Sequence, residues 1–377
     1  MYSFEPDEEQ QMLLEAIGRY AANDLRPAGH DAEEEGSLPS KIVSKGWELG
    51  VLQASIPEAY GGFGERSAVT GVLAAEEMAF GDLAGTLAVN APSLFVTPIL
   101  LVGSEEQKKK YIPPVIEMNW QPYTAALIEY TLDFDPLELK TIAKAEDDSY
   151  VLIGEKAFVP FAKEAEAMLV YANLGGETQG FIVPKTAAGL EVREEAEKLM
   201  SLKALPTYRV KLDGVKVPKA NRLGGEAGHD FQPVLASMRL ALAAMAVGVA
   251  RAAFEYSRDY AKEREAFGVK IAQKQAIAFM LAEMATEIEA SRILNWEAAW
   301  KLDTGAEDAF KHAYLAATSA ADMAMMVTDR AVQILGGYGY MRDYPVEKWM
   351  RDAKIMQIYE GTAQIQRMII ARYLARE

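Results

Sequence analysis

The segment QIYEGTAQIQR, residues Gln357 to Arg367, sets one carboxylate, Glu360, between Tyr359 and a Gly361-Thr362 step. Glycine supplies a turn and a threonine after it is an ordinary helix N-cap, so the acid sits at a break in the chain, off any solvated helix face. A carboxylate held still in this way suits general-base work, which requires the base to stay within reach of the proton it removes. The plainer reading is a surface glutamate beside a capped helix. The chain has no cysteine, which removes thiolate nucleophiles, disulfides and thiolate metal sites. Its three histidines, His30, His229 and His312, have no metal-ligand spacing, and no metal is expected. Carboxylates, hydroxyls and bound cofactors are left to carry any reaction.

Holding such an acid in place takes a packed core. With 377 residues, half of them hydrophobic and a quarter charged, the chain is long enough for two or three packed units. No apolar run reaches the roughly 20 residues of a membrane span, so none is expected. A formal charge of -16 argues against nucleic acid, whose phosphates need a basic face, but allows an anionic ligand held by a few local arginines. The start, MYSFEPDEEQ, is acidic where a targeting leader would be basic, and a cytoplasmic location is the expectation.

Three textures follow one another. Residues 1–120 read as helical: EEQQMLLEAIGRYAANDL repeats apolar residues at three and four, and SEEQKKKYIPPVIEM opens on a Ser-x-x-Gln capping box. Between these, SIPEAYGGFGE reads as a loop and HDAEEEG as a solvated face. Residues 121–230 carry short β-rich stretches (SYVLIGEKAFV, AMLVYANL, QGFIVPK, YRVKLDGVKVP) spaced by turn residues, which predicts an antiparallel sheet domain. Residues 231–377 turn helical again, with four long runs that predict a four-helix bundle. The methionines of ADMAMMV read as core filler. The fold class expected is α+β, mostly α.

This order, together with four motifs in register, resembles the acyl-CoA dehydrogenase family of flavoproteins. GVLQASIPEAYGGFG is similar to its Pro-Glu-x-Tyr-Gly-Gly-x-Gly signature, LVGSEEQKKKYIPPV to its Gly-Ser-Glu-Glu-Gln-Lys helix start, and YAKEREAFGVKIAQKQ to its Arg-x-x-Phe-Gly element with a glutamine eleven residues after the arginine. QILGGYGYMRDYPVEKWMRDAKIMQIYEGTAQIQ carries the Gln-x-x-Gly-Gly-x-Gly-Tyr, Arg-Asp and Tyr-Glu-Gly-Thr elements in order. The resemblance implies FAD as cofactor, an acyl-CoA substrate and Glu360 as the base that takes the α-proton while a hydride leaves the β-carbon. The alternative position for the base, on the long helix before an arginine, is here Met238. Arg264, Phe267, Gln275, Gln333, Gly336 and Gly337 match residues that hold the adenine and diphosphate end of FAD, often across a subunit interface. Thr362 and Gln364 match FAD contacts beside the base, Leu127 and Phe158 fall in the ring-contacting motifs, and Arg239 and Gly361 match substrate-binding positions. The plainer readings are a surface partner of Glu263 or Glu265 for Arg264, a helix C-cap for the double glycine, and a salt bridge within the bundle for Arg239.

The chain departs from the pattern in the sheet domain. Where relatives read Leu-Thr-Glu-Pro-x-Ala-Gly-Ser-Asp, it reads LIEYTLDFD, with Ile128 in place of threonine, Tyr130 in place of proline and Asp133-Phe134 in place of Gly-Ser. Where they read Trp-Ile-Thr, it reads Phe158-Val159-Pro160. Both changes remove hydroxyls that would bond the flavin ring, each lost bond costing on the order of 1 to 3 kcal/mol in a dry site, and Asp133-Phe134 would set an acid and a phenyl ring beside a diphosphate. The first reading is therefore an FAD-dependent acyl-CoA dehydrogenase, a homotetramer by resemblance, passing electrons to an electron-transfer flavoprotein. The alternatives are a flavin-poor subunit of a hetero-oligomer with a sister chain, or a relative with altered CoA-thioester chemistry.

Overall fold

The computed structural model describes residues 5–117 and 119–375. The first four residues of MYSFEPDEEQ, Met118 and the last two residues of the terminal helical run lie outside the described residues. The N-terminal region is helical, with α1 (Glu8–Tyr20), α2 (Arg26–Glu35), α3 (Ser40–Trp47), α4 (Ala68–Gly81), α5 (Leu83–Val89), α6 (Ser93–Val102), α7 (Glu105–Tyr111) and α8 (Pro113–Ile116). The Ser104/Gln107 capping box forms at the head of α7. Gln107 does more than cap: its amide donates to the carbonyls of Ala220 and Arg222 (2.9 and 2.7 Å) and its oxygen accepts from Gly224 N (3.1 Å), tying this region to the end of the sheet. One expectation holds only in part. HDAEEEG is a solvated face at His30, Asp31, Glu34 and Glu35, but Glu33 is buried on α2, paired with Arg351 at 2.5 Å and flanked by Lys203.

The middle region holds β1 (Tyr123–Ala126), β2 (Ile142–Ala145), β3 (Ser149–Pro160), β4 (Ala167–Leu174), β5 (Glu177–Pro184), β6 (Leu190–Val192) and β7 (Thr207–Pro218). They form one seven-stranded sheet in the order β1-β4-β2-β3-β7-β6, with β5 on β4. Alternate residues of its strands fill a core of their own that includes Leu152, Val170, Phe181 and Val210. The sheet is mixed where an antiparallel one was expected: β1 runs parallel to β4, pairing Tyr123 with Ala167, and β2 meets β4 in parallel at Ile142 and Asn173. The β2–β3 hairpin lies between β1 and β4 in the chain and supplies the long crossover that a parallel pair needs, which no local hairpin signal announces. Between β6 and β7 the chain leaves the sheet and buries Leu202, Ala204 and Leu205 in the helical core.

The C-terminal region is built on α9 (Gln232–Glu263), followed by the short hairpin β8 (Glu265–Ala266) and β9 (Val269–Lys270), then α10 (Gln275–Asp303), α11 (Ala309–Leu335), α12 (Val346–Lys354) and α13 (Ala363–Leu374). The four helical runs form as α9, α10, α11 and the shorter α13, with α12 added ahead of the Glu360 turn. α4 of the N-terminal region packs on α9 as the further long partner. The alanine-rich face of α9 allows this approach, and Gly248 makes it close: a Cβ there would lie 2.3 Å from the Glu76 carbonyl oxygen of α4. Arg251 and Arg292 clamp the same junction, bonding Glu76 from α9 and α10. By length and composition α9 is also apolar enough to cross a membrane, which corrects the expectation that no such segment exists; 72% of its apolar window is buried inside the protein.

Overpacking a close helix contact costs roughly 1–3 kcal/mol or more. Gly248→Val should therefore lower the thermal unfolding midpoint by several degrees in a calorimetric scan, and an unchanged midpoint would show that α4 and α9 separate at no cost.

Candidate active site

Glu360 lies in the connection between α12 and α13, and the backbone there is unusual. Its φ is +56°, a region that side chains other than glycine and asparagine seldom occupy, and Gly361 follows at +99°. A Cβ at position 361 would stand 3.2 Å from Pro136 Cδ, so the conformation and the space both call for glycine. Thr362 then caps α13, its hydroxyl accepting from Ile365 N at 3.4 Å. Gln366 reaches back to the Gly361 carbonyl (3.1 Å), and Gln357 bonds Asp322 of α11 (2.9 Å), while Arg367 pairs with the same aspartate. The turn is thus fastened on both sides of the acid.

The acid itself is buried, and its Oε2 has no hydrogen-bond partner among the described residues. Arg239 of α9 is 1% exposed and lies close by. Its Nη2 donates to the Glu360 backbone carbonyl (3.4 Å) and its guanidinium sits 4.3 Å over the Tyr314 ring, while Nε and Nη1 are unpartnered. The bundle salt bridge expected as its plainer role does not form. Burial pushes the Glu360 carboxyl up to about 7, against a smaller downward pull from Arg239.

Glu360 faces a cavity of about 180 Å³ to which all three regions contribute. Leu87, Leu94 and Leu101 come from the N-terminal helices, Leu127, Ile128, Ala157, Phe158 and Pro160 from the sheet, and Val234, Met238, Leu242 and Tyr359 from the bundle. Among the described residues, its only charged wall residue is Glu360. Met238, at the alternative base position, adds an apolar thioether to the same wall. Arg239 does not line this cavity; it borders a separate void of about 10 Å³ shared with Tyr359 and Glu360, which sets its charge behind the carboxylate.

The sheet side of the wall is held by a buried ion pair. Lys156 on β3 bonds Glu129 (2.8 Å) and the Leu127 carbonyl (3.0 Å), and Glu129 also accepts from the backbone of Lys140 and Thr141 (2.7 and 2.8 Å). Ala157 N donates to the Ile128 carbonyl (2.9 Å), which fixes Leu127 and Ile128 against β3. Phe158 has a φ of +55°, stabilised by its N–H on Glu197 Oε2 (2.8 Å). Asp133 is exposed and paired with Lys140 (3.5 Å), and the Phe134 ring packs against the hydrophobic core.

The remaining site residues gather elsewhere. Arg264 and Gly337 line an open groove with Tyr260, Ile271 and Tyr338, and the Arg264 guanidinium lies 5.2 Å over the Tyr338 ring. Among the described residues neither Glu263 nor Glu265 pairs with it; Glu265 is engaged by Lys270 (2.8 Å). Gly336 ends α11 at a φ of +62°, so the C-cap reading holds, and a Cβ at Gly336 or Gly337 would meet nothing within 4 Å. Phe267 is 91% exposed, and Gln275, Gln333 and Gln364 are exposed as well. None of these side chains reaches the Glu360 cavity within this chain. Sequence reasoning missed Asn90, Ser93, Thr97 and Ser237 in the cavity wall. The first three recur at helical spacing in NAPSLFVT, a polar stripe in an apolar segment that could have marked them.

Because the Glu360 pKa rises on folding from an ordinary 4.5 to about 7, the folded protein binds more protons than the unfolded chain between those values. Stability should be fullest below pH 4.5 as far as this group is concerned, and should fall as pH rises through about 7. Glu360→Gln should flatten that slope in denaturant unfolding followed from pH 5 to 8, whereas Arg239→Met, which removes the downward pull, should carry it to higher pH. A slope that Glu360→Gln leaves unchanged would place the titration elsewhere.

Comparison with known proteins matches this architecture over its whole length. Family models for the acyl-CoA dehydrogenase N-terminal, middle and C-terminal domains match residues 7–119, 125–215 and 229–375. An acyl-CoA dehydrogenase of Bacillus subtilis (strain 168) is 38% identical over 377 aligned residues, covering 97% of this chain and 98% of its own. The mitochondrial short-chain specific acyl-CoA dehydrogenase of Sus scrofa is 35% identical, covering 99% and 92%. The solved structure of butyryl-CoA dehydrogenase from Megasphaera elsdenii has a TM-score of 0.90 at 33% identity, covering 99% of this chain and 100% of that one. With a motif set, a fold and full-length relatives in agreement, the chain belongs to the acyl-CoA dehydrogenase family.

Proposed function

We propose that this protein is an FAD-dependent acyl-CoA dehydrogenase in which Glu360 removes the α-proton of an acyl-CoA thioester. The observation that carries this reading is a lone, unpartnered carboxylate with a pKa near 7, facing an apolar cavity that the sheet also lines. An acid so placed is ionised over a useful fraction of time near neutral pH, and it is more basic toward carbon than a solvated one. The positive charge of Arg239 behind it supports the ionised form without occupying Oε2. Apolar side chains around it exclude water that would otherwise compete for the proton.

The residues present fit the cofactor. Leu127, Ile128, Ala157, Phe158 and Pro160 bring apolar side chains to the cavity that Tyr359 and Glu360 also line, suited to packing against a ring. Arg264 offers a guanidinium for a diphosphate, and the open backbone at Gly336 and Gly337 allows close approach. When bound, FAD supplies the acceptor for the β-hydride. Within one chain the two sets of residues line different cavities, and Phe267 and Tyr340, next in sequence to the groove residues Ala266 and Met341, are exposed. Exposed aromatic side chains beside an incomplete groove support an oligomer in which a neighbouring copy completes the cofactor site, a tetramer by family resemblance. An electron-transfer flavoprotein is the proposed electron acceptor, and a cytoplasmic location is consistent with the acidic, cysteine-free chain.

A second reading, a flavin-poor subunit of a hetero-oligomer, is favoured by Ile128 and Pro160, which bring no hydroxyl to the ring wall, and by proline's lack of an N–H. Absorbance of the protein purified alone separates the two. The first reading expects a yellow protein with about one flavin per chain, and a colourless protein that gains flavin only beside a sister subunit would replace it with the second. The base is tested by exchange of the α-proton of a bound acyl-CoA into deuterated solvent: Glu360→Gln should slow it about 10²- to 10⁴-fold with flavin retained, and exchange at the wild-type rate would remove Glu360 from the role.

A further inference from the structure

A second cavity shares part of its wall with the one beside Glu360. Asn90, Ser93, Thr97 and Ser237 line both, and the second, of about 170 Å³, is bounded by α4, α6 and α9 and by the segment around Val51. The two cavities together carry one charged side chain each, Glu360 in the first and Arg66 in the second. Arg66 precedes α4 in the Gly-rich stretch after Tyr60, and its Nη2 donates to Ser237 Oγ of α9 at 3.0 Å.

No carboxylate stands within ion-pair distance of Arg66 among the described residues. The acid that acts on it through space, Asp303, is otherwise engaged. Its Oδ1 accepts from Ala68 N (2.7 Å) and its Oδ2 from Val69 N and Ser67 Oγ (3.1 and 3.0 Å), so both oxygens serve the start of α4. Burial pulls the Arg66 pKa below its ordinary range. A guanidinium has five N–H donors in a planar fork, and this one spends a single bond on a protein hydroxyl while it faces a cavity otherwise lined by aliphatic, hydroxyl and amide groups. Such a fork matches a carboxylate in two-point contact, and the desolvation of the cation is offset when an anion arrives.

We propose that Arg66 binds a carboxylate at the far end of the acyl group, so that the substrate class is the CoA thioester of a dicarboxylic acid. This rests on the acyl-CoA reading above and adds a polarity to it. The thioester end meets Glu360, the methylenes pass the apolar walls shared with Met245 and Ala241, and the terminal carboxylate reaches Arg66 beside Ser237. Ser93 and Thr97 line both cavities and can solvate the second carboxylate oxygen.

The test compares linear monocarboxylyl- and dicarboxylyl-CoA thioesters of equal carbon number on the flavin-loaded enzyme, by kcat/KM and by calorimetric binding of the corresponding 2-enoyl thioesters. The wild type should favour the dicarboxylyl series about 10- to 100-fold in both readouts, the scale of a charge-assisted hydrogen bond. Arg66→Met should erase that preference, chiefly through KM, and leave the monocarboxylyl series within about threefold of wild type. Arg66→Lys should restore part of it. Equal use of both series by the wild type, or a preference that survives Arg66→Met, would overturn the assignment and leave the acyl-CoA reading standing. Failure of every CoA thioester to bind would overturn both. Should Arg66→Met not fold, the wild-type selectivity alone decides.

Discussion

Burial of the Glu360 carboxylate beside the Arg239 guanidinium governs the rest of the site. Two such ions moved out of water cost several kcal/mol each, and their attraction offsets this fully only when hydrogen bonds satisfy both. Here they do not. Arg239 spends its contact on a backbone carbonyl and an aromatic face, and the Glu360 Oε2 stays unpaired. A bidentate pair would have held the carboxyl well below its ordinary range and taken the lone pairs a base needs. The arrangement leaves burial as the dominant influence on the acid, tempered by a nearby cation, and folding has to supply stability elsewhere to carry it.

That stability comes from contacts that join distant segments. Gly248 lets α4 and α9 approach backbone to backbone, and Arg251 and Arg292 close the junction over Glu76. Lys348 of α12 lies between Asp82 and Asp352 (2.5 and 2.7 Å), and Asp352 also accepts from Leu202 N (3.3 Å) in the loop that leaves the sheet. With Glu33 and Arg351, this network fixes the helix that precedes the Glu360 turn to both the N-terminal region and the sheet. The cavity exists only once these connections have formed, because each region provides one wall and none encloses a space alone.

The sheet wall illustrates how a motif can lose its side-chain donors and keep its shape. Ile128 and Pro160 present carbon where relatives place hydroxyls, yet the backbone that carries them is ordered by Lys156, Glu129 and the β3 strand. Asp133 and Phe134, the substitutions that looked most hostile to a diphosphate, are turned toward solvent and core, so their chemistry is spent on Lys140 and on apolar neighbours.

By itself the sequence determined what local physics can determine: helices from apolar spacing, the Ser104/Gln107 cap, strands from β-branched runs, and a motif set that singled out Glu360 as an acid at a glycine turn. It could not set the parallel pairing of β1 with β4 or the burial of Glu33, since each depends on a partner more than 40 residues away. The same limit applied to the site. Arg239 lay within reading as an arginine of interest, but only the packing of α9 against α11 and the Glu360 turn makes it a dry cation behind a base. Arg66 gave no signal, because an arginine becomes informative only when the surrounding chain has removed its water and withheld its counter-ion, and both are properties of the assembled fold.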